Sequence, residues 1–174
     1  MHRLLFVSGH VLAMVFIMLS FAAARGQAES LIVTSNSWRV VDGDTIHLDQ
    51  HKIRLLGIDA PEIKQHCETS TGDAWPCGQM ARDILDGILE SYGKGVACVI
   101  TGQDRYKRDL GRCYAGAVTG GIDVQRMLIR SGFAVSEYSK DYQQDEAIAA
   151  KQARGMWAGS FQRPKDWRKA QRGG

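Results

Sequence analysis

The apolar positions of this chain change period along its length. Trp38 to Val41 is apolar-rich, Thr45 to Leu48 alternates, and Lys52 to Ile58 carries Ile53, Leu55, Leu56 and Ile58, which predicts three short strands. Asp42-Gly43-Asp44 between the first two is a tight-turn signal. Asp59-Ala60-Pro61 ends the third strand, because proline cannot donate to a sheet ladder. Residues 62–77 read as an irregular loop. Met80, Ile84, Leu85, Ile88, Leu89 and Tyr92 then recur at helical spacing, with Gly93 as a stop. Val96 to Thr101 and Leu110 to Val118 read as strands on either side of the polar connection Gln103–Asp109. A short helix follows over Val124–Ile129, with Val124, Met127 and Leu128 toward the core and Gly132 ending it. A third, more polar helix covers residues 142–155. Five or so strands interrupted by helices do not make a βαβ sheet. They predict a mainly β protein with helices: a five-stranded oligonucleotide-binding (OB-fold) barrel plus about three α-helices.

The start of the chain has a different character. Arg3 gives a positive start, an apolar stretch is densest over Val11–Leu19, and Ala22-Ala23-Ala24 forms an A-x-A site. Residues 1–24 therefore read as an export signal, cleaved after Ala24 or after Ala28. The competing reading is an uncleaved anchor, and Ser8, Gly9 and His10 interrupt the run it would need. Residues 25–36 read as a leader, 37–160 as one folded domain and 161–174 as a basic C-terminal tail.

Composition adds two constraints. Charged residues at 24% and hydrophobic ones at 44% are ordinary globular values, which excludes a disordered chain, and only three prolines exclude a proline-rich one. The net charge of +3 permits a polyanionic partner without demanding one. Cys67, Cys77, Cys98 and Cys113 all follow the signal, and an even count in an exported chain predicts two disulfides. Three pairings are open. Cys67–Cys77, closing a turn-rich loop, and Cys98–Cys113, linking neighbouring strands, are preferred. No C-x2-C pair supports zinc.

Read alone, Asp42-Gly43-Asp44-Thr45 is a hairpin turn, Asp59-Ala60-Pro61-Glu62 a strand end, and Arg54 and Arg108 solvated cations. Together they carry chemistry. Asp44, Asp59 and Glu62 converge if their strands pair, and clustered carboxylates require a cation or protons. Oxygen donors suit Ca²⁺ or Mg²⁺. Arginine forks grip two phosphate oxygens at once. A cation, two arginines and a spare carboxylate make up a phosphodiesterase site.

These residues, as Val41-Asp42-Gly43-Asp44-Thr45, Ile53-Arg54-Leu55-Leu56-Gly57-Ile58-Asp59-Ala60-Pro61-Glu62 and Asp104-Arg105-Tyr106-Lys107-Arg108, resemble the staphylococcal nuclease (thermonuclease) family. Arg130-Ser131-Gly132-Phe133-Ala134 and Gly155-Met156-Trp157 add to the resemblance, which runs from about Trp38 to Trp157. It implies a Ca²⁺-dependent endonuclease on an OB-fold barrel, acting on DNA and RNA and leaving 3′-phosphate ends. Asp44 and Asp59 would hold Ca²⁺ by side chains and Ala60 by its backbone carbonyl. Glu62 would position or deprotonate the attacking water, and Arg54 and Arg108 would hold the phosphate. The family has glycine where this chain has Lys107. Arg108 is assigned over Arg112 because it follows Asp104 by four residues with a tyrosine between. Tyr106 and Tyr138 are open between a packed position and one beside a nucleotide.

The expected protein is exported, periplasmic or secreted, monomeric, and without a membrane partner once the signal is removed. The alternatives are a non-catalytic nucleic-acid-binding module on the same barrel and an accessory module of envelope or polysaccharide assembly. In the tail, Trp157 and Phe161 read as packed aromatics. The seven basic residues from Lys151 to Arg172 offer at most a weak phosphate contact.

Overall fold

The Asp-Gly signal folds as a hairpin turn, and the remaining elements build outward from it. The computed structural model describes residues 30–92 and 94–173, so the expected export signal and Gly93 lie outside the described residues. In chain order the elements are β1 (Leu31–Ser35), β2 (Trp38–Asp42), β3 (Thr45–Leu48), β4 (His51–Leu55), β5 (Ile58–Asp59), β6 (Cys67–Glu68), β7 (Ala74–Trp75), α1 (Cys77–Ser91), β8 (Val96–Gln103), β9 (Asp109–Ala115), β10 (Ile122–Asp123), α2 (Val124–Ser131), β11 (Val135–Ser136), α3 (Gln143–Lys151) and α4 (Pro164–Arg172). A 3₁₀ turn at Gly155–Ala158 precedes α4.

The main sheet has the order β1-β8-β9-β4-β3-β2, with β10 also pairing with β9. The five expected strands are the path β2-β3-β4-β9-β8. All neighbours are antiparallel except β4 and β9, which run parallel with Ile53 opposite Asp109. The sheet curls until edge strand β1 returns against β3. Alternation sets the inside face: Ile46, Leu48, Ile53 and Leu55 are fully buried, and Leu85, Leu89, Leu128 and Ile129 of α1 and α2 close over them. Truncating any of these leucines would cost about 2–5 kcal/mol.

Several expectations need correction. Residues 31–35, read as leader, form β1, because Leu31 to Ser35 find the free edge of β8. The strand expected over Lys52–Ile58 breaks after Leu55. Gly57, at φ +84°, turns the chain so that Ile58 and Asp59 pair with β11 instead. In α1, Met80 and Tyr92 point outward while Cys77, Gly78 and Ala81 are buried, so the core face is rotated from the one expected. In α2 the inward residues include Gln125 and Ile129 rather than Met127. Helices number four rather than three among the described residues, because part of the expected basic tail is α4.

Both preferred disulfides are present. Cys98 and Cys113 stand directly opposite each other on β8 and β9. Cys67–Cys77 ties the loop after β5 to the start of α1. Trp157 and Phe161 pack edge to face beside that second bridge, as packed aromatics.

Candidate active site

The site begins with a close approach. A Cβ on Gly43 would lie 2.6 Å from that of Ala60 and 2.8 Å from that of Ala81. Only glycine lets the β2–β3 turn press against the end of β5. That contact brings Asp44 to Asp59, and the Asp44 carboxylate accepts the Ala60 backbone N–H at 3.0 Å and the Thr45 hydroxyl at 3.1 Å. Asp44 is only 7% exposed and Asp59 is fully buried.

Arg54 stands opposite Thr45 in the β3–β4 ladder and reaches over the same end. One terminal nitrogen lies 2.5 Å from Asp44 Oδ2 and the other 2.9 Å from Asp59 Oδ1. Burial pushes the Asp44 carboxyl up to about 6, against the opposing pull of Arg54. Burial also raises Asp59, although Arg168 and Arg54 donate to it.

Arg108 comes in from the β8–β9 connection. Asp104 accepts the backbone N–H groups of Tyr106 and Arg108 at 2.8 and 3.0 Å and the Arg108 side-chain Nε–H at 2.8 Å. Burial raises Asp104, but these donors outweigh it and hold the carboxyl below its usual range. Lys107 adopts φ +62°, the left-handed conformation that glycine takes most readily, so the loop keeps that shape without glycine. Arg112 pairs with Asp141 at 2.5 Å and stacks on Tyr142. Arg108 lines the cavity.

Glu62 sits at the start of the loop after β5. Its backbone N–H donates to Gln65 Oε1 at 3.2 Å, and the buried Gln65 amide donates to the Gln162 carbonyl at 2.7 Å. Gly78 packs under the same turn, where a Cβ would lie 1.8 Å from the Glu62 carbonyl oxygen. The residue that sequence reading missed is Arg168. Its Nη1 donates to Asp59 Oδ1 at 3.0 Å and to Glu62 Oε1 at 2.8 Å, and its Nη2 donates to Asp59 Oδ2 at 2.8 Å. The available signal was positional: after Pro164, a good first residue for a helix, Lys165, Arg168 and Arg172 fall on one face.

Asp44, Arg54, Ala60, Glu62, Arg108 and Arg168 line one open cavity of about 750 Å³, while the fully buried Asp59 is not on its walls. Tyr106 and Tyr138 also line it and are 65% and 71% exposed, so neither is a packed core tyrosine. Arg54 joins Asp44 to Asp59, and Arg168 joins Asp59 to Glu62. Among the described residues, no three His, Cys, Asp or Glu side chains form a metal-holding cluster. The donor set nevertheless fits a hard divalent cation. It is oxygen-only, two carboxylates and a backbone carbonyl at adjoining strand ends, the donor chemistry that such an ion takes.

The "staphylococcal nuclease homologue" family model matches residues 52–159. The chain is 34% identical to a succinoglycan biosynthesis protein, ExoI, of Rhizobium meliloti, over 76% of this chain and 67% of that one. It is 35% identical to an "uncharacterized endonuclease" of Escherichia coli O157:H7, over 69% of this chain and 74% of that protein. It is 31% identical to a probable staphylococcal-like nuclease of rice, CAN1, over 76% of this chain but only 37% of that longer protein. With an endonuclease among these relatives, and a family model covering most of the folded region, the chain belongs to the staphylococcal nuclease family.

Proposed function

We propose that this protein is an exported, Ca²⁺-dependent endonuclease that hydrolyses phosphodiester bonds of DNA and RNA and leaves 3′-phosphate ends. The observation that carries this reading is Arg54 and Arg108 on the walls of the cavity that also holds Asp44 and Glu62. Asp44, Asp59 and the Ala60 carbonyl would hold Ca²⁺, which on binding supplies a Lewis acid beside the phosphate. Arg54 and Arg108 grip the non-bridging oxygens and stabilise the charge that grows on them. Glu62 orients the attacking water and accepts its proton. Tyr106 and Tyr138 offer exposed rings beside the cavity for flanking bases. Two disulfides support an oxidising compartment.

The test is digestion of single-stranded DNA, duplex DNA and RNA by the mature protein with Ca²⁺ and with chelator. Cleavage is expected with Ca²⁺ alone. Glu62→Gln and Arg108→Ala are expected to lower kcat by about 10²–10³ without unfolding the protein. Unchanged turnover in both variants refutes the roles. The polysaccharide-related name of the Rhizobium relative favours a second reading, an envelope accessory module. Neither cleavage nor nucleic-acid binding under any divalent ion would support that one, whereas tight binding without cleavage would support a non-catalytic nucleic-acid-binding module.

A further inference from the structure

We propose that Arg168 is a built-in counter-ion of the cation site, which a divalent ion must displace from Asp59, so that loading the site releases α4. This rests on the reading of Asp59 as a cation ligand. Both oxygens of that buried carboxylate are engaged: Oδ1 by Arg54 and Arg168, Oδ2 by Arg168. The same guanidinium holds Glu62. A cation that takes Asp59 must therefore evict Arg168, and in doing so it frees Glu62 from its ion pair.

The construction of α4 makes that exchange feasible. The helix has nine residues, and Pro164 is its single buried one. A helix this short has little stability of its own and depends on what it docks against. Its first turn is anchored: Arg163 pairs with Glu146, Lys165 pairs with Glu137 at 2.9 Å, and the Gln162 carbonyl accepts from Gln65. Beyond that turn, Arg168 supplies the ion pairs to the body of the protein. Arg172 donates only back to the Arg168 carbonyl. The helix also lies past residue 159, where the family match ends.

Two measurements on the full mature chain test this, and neither uses nucleic acid. Calorimetric titration with Ca²⁺ is expected to give a dissociation constant at least about tenfold lower for Arg168→Gln than for the native protein. Both the competitor and a like charge beside the ion are removed. Arg168→Lys is expected to fall between, since an ammonium cannot fork across a carboxylate. Equal affinities, or no Ca²⁺ binding by any form, overturn the proposal. Hydrogen exchange of the native protein is expected to show α4 amides losing protection as Ca²⁺ saturates the site. Unchanged or increased protection overturns it without any variant. A loaded native protein that leaves DNA and RNA intact counts against the nuclease reading alone.

Discussion

Asp104 holds Arg108 twice, through its backbone N–H at 3.0 Å and through its guanidinium Nε at 2.8 Å. One carboxylate therefore sets both the course of the loop and the aim of the arginine. Asp104→Ala is expected to cost about 1–2 kcal/mol of stability through the lost charge-assisted bonds. It is also expected to lower kcat/KM on DNA by about tenfold or more, because Arg108 is left to wander. Urea melts and steady-state kinetics check both. A full loss of stability with kinetics unchanged would mean that Asp104 shapes the loop without aiming Arg108.

Lys107 sits at φ +62°, where an L-residue bears a cost of about 1–2 kcal/mol that glycine avoids. Part of that gain is offset by the greater freedom of glycine in the unfolded chain. Lys107→Gly is expected to stabilise the protein by about 0.5–1 kcal/mol, or roughly 2–3 °C in melting temperature. Calorimetry gives the sign directly.

Burial raises the Asp44 carboxyl from 3.8 to about 6. Between those pH values the folded protein holds a proton that the unfolded chain has released. Stability from this group is full below the unfolded value and is lost as pH rises through 6, a change of roughly 3 kcal/mol. Asp59 is displaced in the same direction. In chelator, melting temperature is therefore expected to fall from pH 5 to pH 7, and Asp44→Asn is expected to flatten that slope. A rise over the same interval would contradict the assignment.

The two disulfides differ in what they brace. Cys98–Cys113 closes a separation of 15 residues between paired strands, and its replacement by alanines is expected to cost about 3 kcal/mol. Cys67–Cys77 closes 10 residues beside Gly78, which packs on the Glu62 carbonyl. Its replacement is expected to cost about 2–3 kcal/mol and also to lower turnover, because the base of the Glu62 turn loosens. Denaturant midpoints and kcat for the two double variants separate the effects.

The basic face of α4 extends the cavity wall through Arg172, which makes no acidic pair among the described residues. Arg172→Ala is expected to weaken single-stranded oligonucleotide binding and to reduce the slope of log K against log salt by about 0.7. Fluorescence anisotropy in chelator across salt concentrations measures it. An unchanged slope would place Arg172 outside the substrate path.

Local chemistry made most of the scaffold legible. Asp42-Gly43 turns wherever it lies between alternating strands, and Leu85, Leu89 and Leu128 find the core through their period alone. The motifs around Asp44, Arg54 and Asp59 could be read because the β2–β3 and β3–β4 hairpins, with the close contact at Gly43, bring near neighbours in the chain together, whereas Arg108 joins them only through the parallel pairing of β4 with β9. Gln125 escaped that reading. A polar residue on an amphipathic helix looks solvated until its amide is seen bonding the Cys113 N–H and the Gly111 carbonyl. Arg168 escaped it for a related reason: 109 residues separate it from Asp59. A cation in a basic stretch has no preferred partner by sequence. Which carboxylate it meets depends on where the curled sheet, Gln65 and Pro164 set α4 down, and that is a property of the packed molecule alone.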